Sequence, residues 1–246
     1  MNGFRVHDFC AHPIIRVEHA MPPLDPALDA EIESLWSTAS DRVAAGGAGA
    51  LFNGRVFSAD TITPDAIVGH LTEYRRIVAQ MERPALFHAL RLRPLAACGV
   101  LRCADGIVFG RRHASAVYQA GLWQLPPAGS VDANAVRPDG VVDVAGQLRA
   151  ELREEVGLSP DDVDAPVPLC VVEHPGSHVC DFGMALTTSL NGEAVLAAHR
   201  VRGNGEYPTL RIVPLAELPD FVAAFRDEMV PPAPIFLRRA VSAGWT

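Results

Sequence analysis

The chain has 246 residues, 49% of them hydrophobic and 20% charged, with a formal net charge of −8. Such a composition belongs to an ordinary globular protein with enough apolar residues for a sizeable core. It argues against a general nucleic-acid binder, which needs clustered Lys and Arg to neutralise phosphates, and no apolar run nears the roughly eighteen residues that span a membrane. The start, with Arg5, His7 and Asp8, does not read as a signal peptide. Cys10, Cys98, Cys103, Cys170 and Cys180 are odd in number and irregularly spaced. They read as the reduced thiols of a cytoplasmic protein, and Cys10 with His12 lacks the second pair that a metal site requires.

In chain order, Phe4–Phe9 and Ile14–His19 read as short strands broken at His12-Pro13, and Met21–Pro26 as a turn. Asp29–Ala45 has helical spacing through Ile32, Leu35, Trp36 and Val43. The stretch Gly46–Gly49 lacks the Gly-Lys-Ser/Thr ending of a phosphate loop and reads as a linker. Leu51–Phe57 reads as a strand with an Asn53-Gly54 turn, and Thr63-Pro64 opens a helix running to Glu82 with Ile67, Leu71, Tyr74 and Val78 on one face. Strands return from Leu95. Val100–Arg112 is a hairpin turning at Asp105-Gly106, and Trp123–Gly129 is a short strand that ends in a turn. Beyond the next helix, Pro168–Glu173, Asp181–Thr187 and Tyr207–Val213 read as strands. Leu215–Met229 reads as a closing helix before a Pro-rich tail.

That intervening helix carries the strongest chemical signal. Its apolar face is Val144, Leu148, Leu152 and Val156, and Gly157 is suited to a left-handed stop. Glu151, Glu154 and Glu155 sit three and four apart, so an α-helix turns them to one side. Like charges at that spacing cost roughly 0.2–0.5 kcal/mol per pair. No Lys or Arg stands three or four positions from any of them. A solvated acidic face is one reading. A missing cation is the other, and hard oxygen ligands favour Mg²⁺ or Mn²⁺.

The order hairpin, strand, Gly-bearing turn and acidic helix resembles the Nudix hydrolase family. The signature of that family is Gly, five residues, Glu, seven residues, Arg-Glu, aliphatic, any, Glu-Glu, any, Gly, aliphatic. Glu151, Leu152, Glu154, Glu155, Gly157 and Leu158 fall on it, and Trp123-Gln-Leu-Pro126 with Gly129 resembles its approach. The left half departs. Ala150 stands at the Arg, Val142 at the first Glu and Val136 at the Gly, with Arg149 one place off. Taking Gly129 as the counterpart of the Gly puts seven extra residues before Glu151, in a loop spanning Ser130 to Gly140. The block Phe52-Asn-Gly-Arg-Val-Phe57, His70-Leu-Thr-Glu-Tyr-Arg75 and Arg93-Pro-Leu95 is similar to the N-terminal half of Nudix proteins that hydrolyse UDP-glucose; a plain packing layer is the other reading.

The resemblance implies an α/β (α+β) fold, a Nudix α/β/α sandwich with a mixed sheet over 93–246, preceded by a small α+β extension over 1–92. It implies a pyrophosphohydrolase cleaving a nucleoside diphosphate linked to another moiety, with a UDP-sugar foremost. Glu151, Glu154 and Glu155 would hold Mg²⁺ or Mn²⁺ and carry catalysis. Glu173 or His174 would act as general base, with a surface turn as the alternative. Arg111 and Arg112 would bind the substrate phosphates or replace the missing signature Arg, or would form a solvated strand end. Trp123 reads as core before base-stacking. Asp139 and Asp143 would substitute for the first Glu, or Asp143 would favour the helix N-terminus. The partner expected is a small nucleotide-linked substrate, without nucleic acid or membrane. Nudix proteins are often homodimers, for which the N-terminal region could supply an interface. A catalytically weak nucleotide-sensing protein is the alternative function, and a diphosphate isomerase, lacking a Cys-plus-Glu arrangement, ranks last.

Overall fold

The computed structural model describes every residue except Met1, Asn2, Ala11, 47–49, Val117, Ala243, Trp245 and Thr246. Most of the Gly46–Gly49 stretch therefore lies outside the described residues. In chain order the elements are β1 (Arg5–His7), β2 (Ile14–Val17), α1 (Pro26–Ala45), β3 (Arg55–Ile62), β4 (Ala66–Glu73), α2 (Tyr74–Glu82) and α3 (Phe87–Leu90). There follow β5 (Leu95–Cys103), β6 (Gly106–Arg111), β7 (Trp123–Gln124), β8 (Ala128–Ser130), α4 (Val144–Glu151), β9 (Val167–Glu173) and β10 (Cys180–Thr187). The chain closes with α5 (Gly192–Arg202), β11 (Thr209–Val213), α6 (Leu218–Ala224) and α7 (Ala233–Ser242). The α+β class expected from the sequence is the one observed. Two compact units divide the chain: one holds 1–96, 130–143 and 171–181, the other 97–129, 144–170 and 182–246.

In the first unit β2, β4 and β3 form a mixed sheet, with β2 parallel and β3 antiparallel to β4. Helix α1 starts earlier than its apolar spacing indicated. Asp25 caps it by accepting from Ala27 N at 2.8 Å, and Pro26 fills the first turn, where no N–H is needed. Ile32, Ile77, Leu86, Leu90 and Leu92 form the core cluster, with Leu35 and Tyr74 packed against it. The helix expected from Thr63 to Glu82 is corrected: Ala66–Glu73 is strand β4 and only Tyr74–Glu82 is helical. Ile67 and Leu71 suit a helical stripe, but backbone pairing with β3 on one side and β2 on the other decides the conformation. Asn53 Oδ1 accepts from Arg75 N at 2.9 Å and Gly54 O from Tyr74 N at 2.9 Å, so the Asn-Gly turn seats the start of α2.

In the second unit, which holds 167–170 of β9, 182–187 of β10 and 97–103 of β5, the strand order is β9-β10-β5-β6-β11, with β7 on β6 and β8 on β5. The hairpin turns where expected, Cys103 facing Gly106 across it. Helix α4 widens after Glu151 into a π turn over Leu152–Val156 and ends at Gly157, whose φ of 77° is the left-handed conformation glycine tolerates. Val144, Leu148, Leu152 and Val156 are all buried, as their spacing requires.

Three elements differ from the sequence reading. Helix α5 was not anticipated; Asn191 caps it through Ala194 N at 2.9 Å. The closing helix is shorter than Leu215–Met229, with α6 flanked by 3-10 turns at Leu215–Glu217 and Arg226–Glu228. The Pro-rich tail is helix α7, which buries Ile235, Phe236 and Leu237, because Pro231 and Pro232 precede it where prolines are compatible with a helix start. All five cysteines are free. No described helix is long and apolar enough to cross a membrane.

The apolar stripe of α4 anchors the acidic segment. Leu152→Ala is expected to lower unfolding free energy by about 2–5 kcal/mol in urea titrations, from lost transfer energy plus a cavity at a fully buried site. An exposed change in the same segment, Arg153→Ala, should stay within about 0.5 kcal/mol.

Candidate active site

The three helix carboxylates have different environments. Glu155 is fully buried, Glu151 half-buried and Glu154 exposed. The shared face expected of an ideal α-helix is thus corrected at Glu154, which lies within the π turn, where the angular step differs from 100° per residue. Glu155 Oε2 accepts from Ala128 N at 2.8 Å, whereas Oε1 is buried with no hydrogen-bond partner. Glu151 Oε1 accepts from Gln147 Nε2 at 2.8 Å. Its carboxylate lies against Gly129, where an added Cβ would come within 2.0 Å of Oε1. Glycine at 129 is therefore a steric requirement of Glu151's position.

Burial pushes the Glu155 carboxyl well above the usual range, and the neighbouring charges of Glu206 and Glu151 push it further; the Ala128 N–H and Arg112 act the other way. Glu206, just before β11, was not identified in the sequence. Its only signal there was a polar turn, Gly203-Asn-Gly-Glu206, ahead of a strand. Asn204 N donates to Glu154 O at 2.8 Å and Arg202 Nε to Gly157 O at 2.6 Å, which ties this turn to the end of the acidic segment.

The two strand-end arginines part company. Arg111 pairs with Glu228 at 2.8 Å and lies over Trp123, 5.5 Å from the ring centre. Arg112 pairs with Glu206 at 3.5 Å and donates to Gln124 Oε1, which also accepts from the Tyr207 hydroxyl at 2.9 Å. Trp123 is buried among Phe221 and Phe225, in the core role given first.

Glu173 belongs to the first unit. Burial raises its carboxyl, but hydrogen bonds from His178 and His7, both at 3.2 Å, hold it below the usual range on balance. A carboxylate so held is a weak proton acceptor, and its geometry links β1 to β9. His174 pairs with Asp181 at 2.6 Å in the same unit. Asp139, also there, accepts from Val141 N and pairs with Arg137, both at 3.1 Å, while Asp143 immediately precedes α4. The loop from Ser130 to Gly140 folds largely as part of that unit, around a short 3-10 turn over Ala133–Ala135.

Among the described residues no three His, Cys, Asp or Glu side chains stand in a ready metal-ligand arrangement. The chemistry of the cluster still suits a divalent cation. A buried carboxylate oxygen without a donor, beside Glu151 and near Glu206, is a place where a positive charge would relieve both desolvation and repulsion.

No protein-family profile matches the chain, and no curated protein does. Among solved structures, a Deinococcus radiodurans protein aligns with a TM-score of 0.48 at 16% identity, over 75% of this chain and 98% of its own. RenU, a Nudix hydrolase of M. smegmatis, aligns with a TM-score of 0.38 at 20% identity, over 63% and 88%. A bifunctional NMN adenylyltransferase/ADP ribose pyrophosphatase of Francisella tularensis, complexed with AMP and a Mn ion, aligns with a TM-score of 0.39 at 14% identity, over 65% and 46%.

Two outcomes follow from this geometry. Gly129→Ala should displace the Glu151 carboxylate and weaken Mn²⁺ binding by about 10- to 100-fold, read by calorimetric titration; unchanged affinity would disprove the cradle. Glu155 has a folded-state carboxyl raised above that of the unfolded chain. Its contribution to metal-free stability is therefore fully present below the ordinary Glu range near about 4.3 and is lost as pH rises through the raised value. Thermal unfolding of metal-free protein at increasing pH should show this decline, and Glu155→Gln should flatten it.

Proposed function

We propose that the protein is a divalent-cation-dependent pyrophosphohydrolase acting on a nucleoside diphosphate linked to another group. The observation that carries this reading is the buried, donorless Oε1 of Glu155 beside Glu151. Mg²⁺ or Mn²⁺ bound there would neutralise phosphoryl oxygens and polarise the attacking water. Glu151 and Glu155 are the first-choice ligands. Glu154, at the exposed rim, and Glu206, on the adjoining turn, complete the acidic surroundings. Arg111 is the residue assigned to the substrate phosphates: it is 35% exposed, and its pairing with the still more exposed Glu228 is of the kind worth about 0–1 kcal/mol. A phosphate, which accepts the guanidinium fork in a bidentate manner, would compete well with that carboxylate. The general base is assigned to the carboxylates of the site, since the two histidines that lower Glu173 make it a weak proton acceptor.

The Asn53-Gly54 turn and the start of α2, which carry the likeness to UDP-glucose-hydrolysing proteins, are hydrogen-bonded to each other, so the likeness covers one coherent piece of structure. A UDP-linked sugar is accordingly the first substrate to try. Purified protein with Mg²⁺ should release a phosphate-bearing product from at least one of a panel of UDP-, ADP- and GDP-linked compounds. Glu155→Gln should lower kcat at least about 100-fold, the scale of losing several kcal/mol of charge stabilisation. Nucleotide uptake without turnover or any need for metal would instead establish the sensing alternative, towards which Ala150 and Val142 point.

A further inference from the structure

We propose that Arg112 is a positioning residue of this carboxylate site, fixing Glu206 against the acidic segment from the end of β6. The inference rests on the reading of Glu151 and Glu155 as a cation site. The acidic segment has no basic neighbour three or four positions away, and the turn before β11 brings Glu206 towards it. A flexible Glu side chain at that place would swing into solvent to escape its neighbours unless something opposed it. The backbone of the turn is already fastened, by Asn204 N to Glu154 O and by Glu206 N to Asn204 Oδ1 at 2.9 Å. What remains to be fixed is the carboxylate, and Arg112 meets it at 3.5 Å.

Arg112 is itself held along the segment that carries β7. Its main-chain N–H donates to Leu122 O at 2.9 Å, and its guanidinium reaches Gln124 Oε1 on β7. Gln124 is oriented by the Tyr207 hydroxyl, and Tyr207 is fully buried against Gly110, where an added Cβ would come within 2.5 Å of the ring. One guanidinium nitrogen, Nη1, therefore lies between Gln124 and Glu206, at a reach along the side chain that the shorter Lys does not match. Only 15% of the Arg112 side chain is exposed, and its Nε is buried with no partner. Arg111 has neither the burial nor these contacts, which separates the roles of two adjacent arginines.

The test is Mn²⁺ titration of the full chain, followed by electron paramagnetic resonance, in wild type, Arg112→Met, Glu206→Gln and the double variant. Each single change should weaken Mn²⁺ binding by about 10-fold or more, and the double variant should be no weaker than the weaker single. Coulomb attraction alone predicts the reverse for Arg112→Met, because removing a positive charge favours a cation. Unchanged or tighter binding, or losses that simply add, overturns the proposal. Where Arg112→Met does not fold, Arg112→Lys keeps the charge on a shorter side chain that falls short of Gln124 and Glu206; it should also bind Mn²⁺ more weakly, and wild-type affinity overturns the proposal. Glu155→Gln distinguishes the two levels. If it binds Mn²⁺ like wild type, the cation site itself fails; if it loses Mn²⁺ while Arg112→Met does not, only the role of Arg112 fails.

Discussion

The site depends on one interaction, the burial of the Glu155 carboxylate with a single donor supplied to its two oxygens. A carboxylate taken wholly out of water without full pairing is costly, and in a metal-free chain the simplest relief is a proton. Glu206 and Glu151 add negative charge to the same place and strengthen that pressure. A protein under no functional constraint has a simple alternative in an apolar side chain of similar volume, since Val156 and Leu152 beside it are buried without difficulty. That the charge sits here, on a segment otherwise fastened by apolar packing, makes a cation the natural third party.

The surrounding fold is organised to keep these carboxylates in place. Gly129 gives up a side chain so that Glu151 can lie against the β8 backbone, and Ala128, one residue earlier, gives its N–H to Glu155. One short strand thus contacts two carboxylates of the helix. At the other end Gly157 stops the segment in a left-handed turn, and its carbonyl receives Arg202 from α5. The wide π turn between these anchors separates Glu154 from the buried pair and leaves it at the solvent edge. Rigidity here comes from backbone hydrogen bonds and close glycine contacts more than from ion pairs.

Much of this was legible in the sequence because it follows short-range rules. The alternation and Asp-Gly turn of the hairpin, the apolar stripe of α4 and the Gly157 stop each depend on residues a few positions apart. What failed depended on partners distant in the chain. Ala66–Glu73 has a helical stripe but became a strand once β2 and β3 paired with it. Helix α5 is capped by Asn191 yet has a weak apolar periodicity, and α7 was hidden behind two prolines that open it. The carboxylates were visible, but Glu206 was not, because nothing in Gly203-Asn-Gly-Glu206 signals that the turn folds back on Glu154. Likewise, Arg111 and Arg112 are alike as letters, and only their contacts, Glu228 and Trp123 for one and Glu206 and Gln124 for the other, assign them different work.

Two helix carboxylates, a third from a turn and an arginine anchored by Gln124 form a place where a divalent cation would be welcome and phosphoryl oxygens could meet it. The most direct measurement is thermal unfolding of metal-free protein at a pH above the ordinary Glu range, with and without Mn²⁺. A cation held by Glu155 stabilises the folded state by mass action, so wild type should gain several degrees in Tm as Mn²⁺ rises and Glu155→Gln should gain almost nothing. An equal rise in both proteins, or none in either, would contradict it.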